Sequence, residues 1–329
     1  MMNEDLDQSQ LAPIVLFCYN RPWHVEQTLE ALSKNELADQ SILYIYCDGP
    51  KQDATEEQKA KIAEVRQVIR KKQWCKEIYI IESEKNKGLA NSIIGGVSSV
   101  INQYGRVIVL EDDLVSSLYF LKYMNNTLDF YEKYPAVFSI SANRPPLAKM
   151  QIPEDYEYDV FVSLRSYSTG WATWSEKWNL VDWHMTDFDD CKKHRNQIKA
   201  LNRAGEDMDK LMIMQEQGKI DSWAMRFGFA HFKQHAVAIL PCNSYVTNIG
   251  FDGTGIHSGV VARLYENDLT LSVNNPRLLN IIYEDDRIIN AFYSSFYPKK
   301  RPLWKKIINY MARKVGKRSP FVIKKKVYC

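Results

Sequence analysis

The 329-residue sequence has no paired cysteines, no long apolar run and no glycine-rich nucleotide fingerprint. Each absence excludes a class of protein. Its six cysteines (Cys18, Cys47, Cys75, Cys191, Cys242, Cys329) are scattered, with neither CxxC nor zinc-ligand spacing, so a disulfide scaffold and a zinc module are set aside. Cys18 and Cys47 fall inside apparent core strands and read as buried free thiols of a reducing compartment. No apolar stretch approaches the roughly 20 residues needed to span a bilayer. The first ten residues, MMNEDLDQSQ, are acidic and carry no apolar h-region, unlike a signal peptide. The expected location is therefore cytoplasmic. Without GxGxxG or a P-loop, neither a dinucleotide site nor a Walker-type phosphate cradle is indicated. No internal repeat or low-complexity tract is present.

One stretch lacks acids altogether. From Arg287 to Cys329 there are 13 Lys and Arg and no Asp or Glu, although the whole chain has a net charge of only +3. The first 286 residues then hold 30 basic and 40 acidic residues, a net of −10. An acidic body argues against nucleic-acid binding as the main function. In the tail, Leu303, Trp304, Ile307, Ile308, Met311 and Val315 share one helical face, flanked by Lys305, Lys306, Arg313 and Lys314. That is the pattern of an interfacial amphipathic helix, so 299–329 is expected to meet an anionic membrane surface on its cytoplasmic side. The alternative is a C-terminal helix docked on the body. Hydrophobic content of 45% and charged content of 25% are ordinary for a globular protein. The 12% aromatic content is high, and suits sugar or base stacking as well as core packing.

What the sequence does contain centres on Arg106–Leu118, RVIVLEDDLVSSL. A short β-branched run, Val107–Leu110, has the character of a buried strand and ends in Glu111, Asp112 and Asp113. Three acids at the end of a buried strand repel one another and desolvate badly. A hard divalent cation, Mn²⁺ or Mg²⁺, with phosphate oxygens completing its shell, relieves that cost. The plainer reading is a solvated acidic turn before the next helix.

The elements before it alternate. Ala12–Tyr19, Ser41–Cys47, Glu77–Ile81 and Val107–Leu110 read as strands. His24–Ser33, Thr55–Lys72 and Ala90–Tyr104 read as helices between them. This predicts an α/β fold with a mostly parallel, doubly wound sheet flanked by helices. In such sheets ligands bind beyond the carboxyl ends of the strands. Asn20 and Arg21 follow the first strand, Asp48 the second, and Lys87 precedes the third helix, so all are candidate contacts for a nucleotide. Further on, Tyr119–Tyr134 reads as a helix and Ala136–Ser141 as a strand, while Asn143–Asp159 is a Pro-rich loop. Arg165–Trp183 holds four of the eight Trp and reads either as an acceptor-sugar platform or as a packed aromatic unit. Asp187–Gln217 is polar and helical. Lys219–Gln234 is helical with Asp221 at a plausible N-cap, and Ala236–Leu240 is a strand. Asn248–Gly259 is a Gly-rich loop suited to phosphate, and carries His257. The chain divides into an N-terminal extension (1–11), an α/β region (12–142), a second region (143–286) and the basic tail (287–329).

The ordered series PIVLFCYNRP, YIYCDGP, NKGLANSI, VIVLEDDL and FSISANRP resembles the nucleotide-sugar domain of GT-A glycosyltransferases. The likeness is to the N-acetylglucosaminyltransferase I type and its bacterial relatives in surface-polysaccharide synthesis. RSYSTGWATW, KIDSWAMR and GIHSG resemble that family's acceptor, catalytic and phosphate-covering segments, so the resemblance covers about 13–259. It implies a GT-A fold and a metal-dependent, inverting transferase. The implied reaction moves a sugar, GlcNAc as the first choice, from a UDP-sugar to a glycan or lipid-linked acceptor. By position, it implies Asp113 as the direct Mn²⁺ ligand, with Glu111 and Asp112 supporting the metal and donor. Arg21 and Asp48 would contact the uridine, Asp221 would be the general base, and His257 and Ser258 would cover the diphosphate. The family often carries a second acid where this chain has Ser222, so the base assignment rests on aligning Trp223. Competing readings are a sugar-1-phosphate nucleotidyltransferase, which FCYNRP does not suit, and a glycan-binding protein on a transferase fold.

Overall fold

The structure is a computed structural model and describes residues 11–146, 150–252 and 267–295. The expectations for His257, Ser258 and the membrane-facing stretch 299–329 lie outside the described residues. Four strands form the first half of the sheet: β1 (Ile14–Cys18), β2 (Ile42–Cys47), β3 (Glu77–Glu82) and β4 (Arg106–Glu111). They run parallel in the order β3-β2-β1-β4, joined by α1 (Pro22–Ser33), α2 (Glu56–Val68) and α3 (Leu89–Tyr104). β1 is buried at every position, as its unbroken apolar run requires of a central strand covered on both faces. Helix α2 starts where the sequence provides a capping box: Thr55 accepts from the Gln58 backbone and Gln58 reaches back to the Thr55 backbone.

The sheet continues through β8 (Trp171–Trp174), β6 (Val137–Ser141), β9 (Val237–Pro241) and β7 (Val160–Ser163) to eight strands. β6 and β9 are parallel to each other, whereas β8 and β7 are antiparallel to their neighbours. The sheet is thus mixed, with six strands pointing one way and two reversed. The two reversed strands are four residues long and buried at every position, so they carry no alternation by which to recognise them. A separate antiparallel ribbon pairs β5 (Leu114–Ser116), just after the acids, with β10 (Val246–Asn248).

Alternate residues of the central strands face two cores. Ile14, Leu16, Leu43, Ile45, Ile108 and Leu110 pack on one side against α1, α2 and α4 (Phe120–Tyr131). Val15, Phe17, Val107 and Val109 pack on the other against α3 and α9 (Trp223–Lys233). Val25, Leu29 and Leu32 of α1 are fully buried, each contributing roughly 1.5–3 kcal/mol by removal from water. The remaining helices are α5 (Ser175–Trp178), α6 (Phe188–Lys193), α7 (Arg195–Leu201), α8 (Met208–Glu216) and α10 (Asp286–Ser295). Among the described residues, no helix is long and apolar enough to cross a membrane.

The aromatic stretch resolves into packing. Trp171 stacks on Trp223 at 4.7 Å and on Trp178 at 5.6 Å, and all three are nearly inaccessible. They fill the core between β8, α5 and α9, so these indoles are not available as a sugar platform. The cap of α9 also differs from expectation. Ser222, not Asp221, is the N-cap, its hydroxyl accepting from the Met225 N–H at 3.4 Å. A residue at the cap must leave the helix with extended backbone, as Ser222 does, and Asp221 lies one step too early.

Candidate functional site

Register brings the punctuating residues together. Phe17 of β1 pairs with Glu111 of β4, and Cys18 of β1 with Cys47 of β2, so Asn20, Arg21, Asp48 and the acids all follow strands that end at one rim. Arg21 is the N-cap of α1, with Pro22 at the first helical position. Its guanidinium reaches over to the end of β4. One arm bonds Asp112 and the other lies 3.0 Å from Asp113 Oδ2. Thr28, two turns into α1, donates to the Asp112 carbonyl at 2.9 Å and fixes the backbone between the two acids.

The electrostatics follow from burial. Asp112 is buried, and desolvation pushes its pKa up to about 6; Arg21 opposes this and Asp113 adds to it. Glu111 is pushed up to about 8, again by burial first and then by the two neighbouring carboxylates, against Arg21. Burial also works against charge on Arg21, but Asp112 and Asp113 outweigh it and raise its pKa. The rim therefore holds more carboxylate than one guanidinium neutralises.

A distant segment covers this cluster. The Ile249 N–H donates to the Asp113 carbonyl at 2.9 Å, and Asn248 Nδ2 donates to Asp113 Oδ1 at 3.3 Å. Gly250 follows with its backbone against the ion pair. A Cβ there would lie 2.9 Å from Arg21 Nη1 and closer still to Asp113 Oδ2, so any larger residue would push these two side chains aside. His24 is buried on α1 with Nε2 3.2 Å from Asp252 Oδ2, at the far end of the segment. Burial and then Arg21 lower the His24 pKa, against Asp252 and Asp113. Sequence reasoning missed His24, Thr28, Asn248, Gly250 and Asp252. The Gly-rich composition of 248–259 pointed to the region, but the β5–β10 pairing that brings it here carries no local signal.

Asp48 has a defined local task. Its carboxylate accepts the backbone N–H groups of Gly49 (2.9 Å), Lys87 (2.9 and 3.1 Å) and Gly88 (3.2 Å). Asn86 reinforces the junction, donating from Nδ2 to the Gly49 carbonyl at 3.0 Å and from its backbone to Pro50 at 3.1 Å. Gly49 is required, because a Cβ would meet the Ser83 carbonyl oxygen at 2.6 Å. Asp48 thus ties the end of β2 to the start of α3. Lys87 is exposed beside it, and Asn20 is half-buried in the bend after β1.

Asp221 stands apart from the acids in sequence but is carried toward the same edge. Trp223 stacks on Trp171, which lies opposite Val109, two residues before Glu111. Asp221 is 59% exposed and pairs with Arg226 one turn into α9. It is accessible, as a group that takes a proton from an incoming molecule must be.

Among the described residues, no group of three or more His, Cys, Asp and Glu side chains is arranged to hold a metal ion. The triplet does not act as three converging ligands, because Arg21 holds Asp112 and the Asp113 carboxylate is already met by Arg21 and Asn248. A cation fits only as a ligand-poor site on Asp113. Its two oxygens each keep a free lone pair beside Arg21 and Asn248, and phosphate and water would have to complete the shell.

No family model matches the sequence, and no curated protein matches it. Solved structures with a similar chain path include mouse xyloside xylosyltransferase 1 in its apo form, at 10% identity. That match covers 68% of this chain and 82% of that one, with a TM-score of 0.35. A UDP-glucose pyrophosphorylase complexed with UDP-glucose matches at 10% identity, over 70% of this chain and 90% of that one, also at 0.35. Galactosyltransferase LgtC with donor and acceptor sugar analogs matches at 9% identity, over 67% and 70%, at 0.32. Likenesses this low leave function to the site's own geometry.

Proposed function

We propose that the chain is a glycosyltransferase of the GT-A kind that transfers a sugar from a UDP-sugar, with inversion, to a glycan or lipid-linked acceptor. The observation that carries this reading is the convergence of Arg21 with Asp112 and Asp113 beyond the ends of β1 and β4, where an open α/β sheet binds its ligands. The excess of buried carboxylate there favours a cationic ligand, and Arg21 is placed to meet phosphate or base once the donor arrives.

In this reading Asp113 holds Mn²⁺ or Mg²⁺, which would neutralise the charge that develops on the departing diphosphate. Asp112 keeps Arg21 aligned, and Glu111, beside it at the end of β4, would support the metal or the donor. Asp48 orders the 86–88 backbone on which the nucleotide would lie. Asp221 takes the acceptor hydroxyl proton as that oxygen attacks the anomeric carbon from the face opposite the diphosphate. Its exposure and its position before a core-anchored Trp223 support that role. His257 and Ser258 are proposed to close on the diphosphate from the segment that Gly250 and Asp252 lead into. The basic stretch 299–329 is proposed to hold the enzyme at an anionic membrane surface.

The test is a panel of UDP- and GDP-sugars assayed for metal-dependent hydrolysis and binding. Mn²⁺-dependent hydrolysis of a UDP-sugar that Asp113→Ala abolishes supports the assignment. Absence of any nucleotide-sugar binding, or full retention in Asp113→Ala, overturns it. Turnover of a sugar 1-phosphate with UTP instead would make the chain a nucleotidyltransferase.

A further inference from the structure

Away from the rim, a groove of about 520 Å³ opens between α7 and α10, next to the 3₁₀ turn Asn202–Ala204. Its volume lies within the roughly 300–1,000 Å³ of small-molecule sites. None of the elements that build it contributes to the Arg21–Asp113 cluster. One wall carries Arg195 and Lys199, four residues apart and therefore on one face of α7. Both are exposed, and among the described residues neither pairs with a carboxylate. Arg203 extends the same wall with its charge already matched by Glu284, and Glu206 adds a carboxylate to the lining. The opposite wall carries Asp286, Asn290 and Tyr293, at helical spacing on one face of α10. Ile198, half-buried, contributes an aliphatic patch to the lining.

Opposite charges face each other here across open space without touching. An unpaired Arg and Lys one turn apart repel, and a single anionic group between them removes that repulsion with charge-assisted hydrogen bonds. The facing carboxylate and amide suit hydroxyl groups, which donate to Asp286 and exchange hydrogen bonds with Asn290. An aliphatic patch and an aromatic ring suit the C–H face of a sugar. A ligand satisfying both walls is anionic at one end and polyhydroxylated at the other.

We propose that this groove binds a saccharide bearing a phosphate or carboxylate, its anion on Arg195 and Lys199 and its hydroxyls on Asp286 and Asn290. The site stands independently of the transferase reading.

The test uses calorimetric titration of the full-length protein with glucose 6-phosphate, glucuronate, glucose and inorganic phosphate. Glucose 6-phosphate or glucuronate should saturate one site and bind at least tenfold more tightly than glucose or inorganic phosphate. The stronger of the two identifies the anion. Arg195→Glu combined with Lys199→Glu should weaken it at least tenfold with no change in melting temperature. Asn290→Ala should weaken the sugar ligand several-fold while leaving inorganic phosphate unchanged. Excess UDP should not displace it. Non-saturating heats, equal affinity for inorganic phosphate, indifference to the double substitution, or displacement by UDP would each overturn the proposal. Failure of UDP itself to bind bears only on the donor site.

Discussion

Replacing Arg21 by Met separates the electrostatic job of this residue from its contact role. In the folded protein Arg21 is the counter-ion of Asp112, a side chain only 7% exposed, and its second arm meets Asp113. Removing the guanidinium leaves a buried carboxylate unmatched, which typically costs about 3–5 kcal/mol. Arg21 retains 17% exposure, so water recovers part of the loss and the lower end, about 3 kcal/mol, is expected. In a chain of this size that lowers the melting midpoint by roughly 4 °C. The double variant Arg21→Met with Asp112→Asn removes both charges and keeps the shape. It should regain most of the stability, because a buried pair contributes little net of its desolvation. Nucleotide-sugar binding should stay weak in both variants. Urea and thermal unfolding of the three proteins measure this directly. A single variant within about 1 kcal/mol of the parent, or a double variant no more stable than the single, would refute the counter-ion reasoning.

Gly250→Ala places a methyl group against Arg21 and Asp113, and should cost about 1–3 kcal/mol as overpacking while weakening donor binding tenfold or more; unchanged calorimetric affinity would show that 248–252 does not govern the site. Asp221→Asn alters an exposed group, so stability should stay within about 0.5 kcal/mol while transfer falls at least a hundredfold and donor affinity persists; near-normal turnover removes it as the base. His231 is fully buried between the Phe227 carbonyl (2.8 Å) and Ser139 Oγ (2.9 Å), and burial lowers its pKa to about 4. The folded state then binds fewer protons than the unfolded one, so its stabilising effect is complete above about pH 6.5 and is lost as pH falls toward 4. Unfolding at pH 7 and pH 5 should differ by about 2 kcal/mol from this group, a difference that His231→Gln should remove.

The four parallel strands and their helices were legible because each has its own periodicity and its own punctuation. Pro22, the Thr55–Gln58 box and the acids after Leu110 mark boundaries in a local window. β7 and β8 were not legible: buried on both faces, four residues long and set inside a Trp- and Tyr-rich stretch, they present no period. Trp171, Trp178 and Trp223 illustrate the same limit, since composition cannot tell an exposed stacking surface from a core. At the rim, Arg21, Asp112 and Asp113 were found from their place after strands. Their mutual pairing was not, because nothing local shows that Arg21 reaches across to Asp112 and Asp113 and neutralises part of their charge. His24 and Gly250 became visible only through a contact between segments far apart in the chain.

The β5–β10 ribbon sets a schedule. Asn248 binds Asp113 across 135 residues of sequence, and at about 5–20 residues per second a ribosome needs roughly 7–27 s to cover that span. Through that interval the nascent chain can carry a folded parallel half-sheet whose acid rim has no roof. A chain cut between β5 and β10 can restore the covered rim on mixing only if the second piece contributes its strand to the first. A fragment ending near residue 142 keeps the β3-β2-β1-β4 order with its carboxylates open to water, but its β6 lacks both neighbours, β8 and β9.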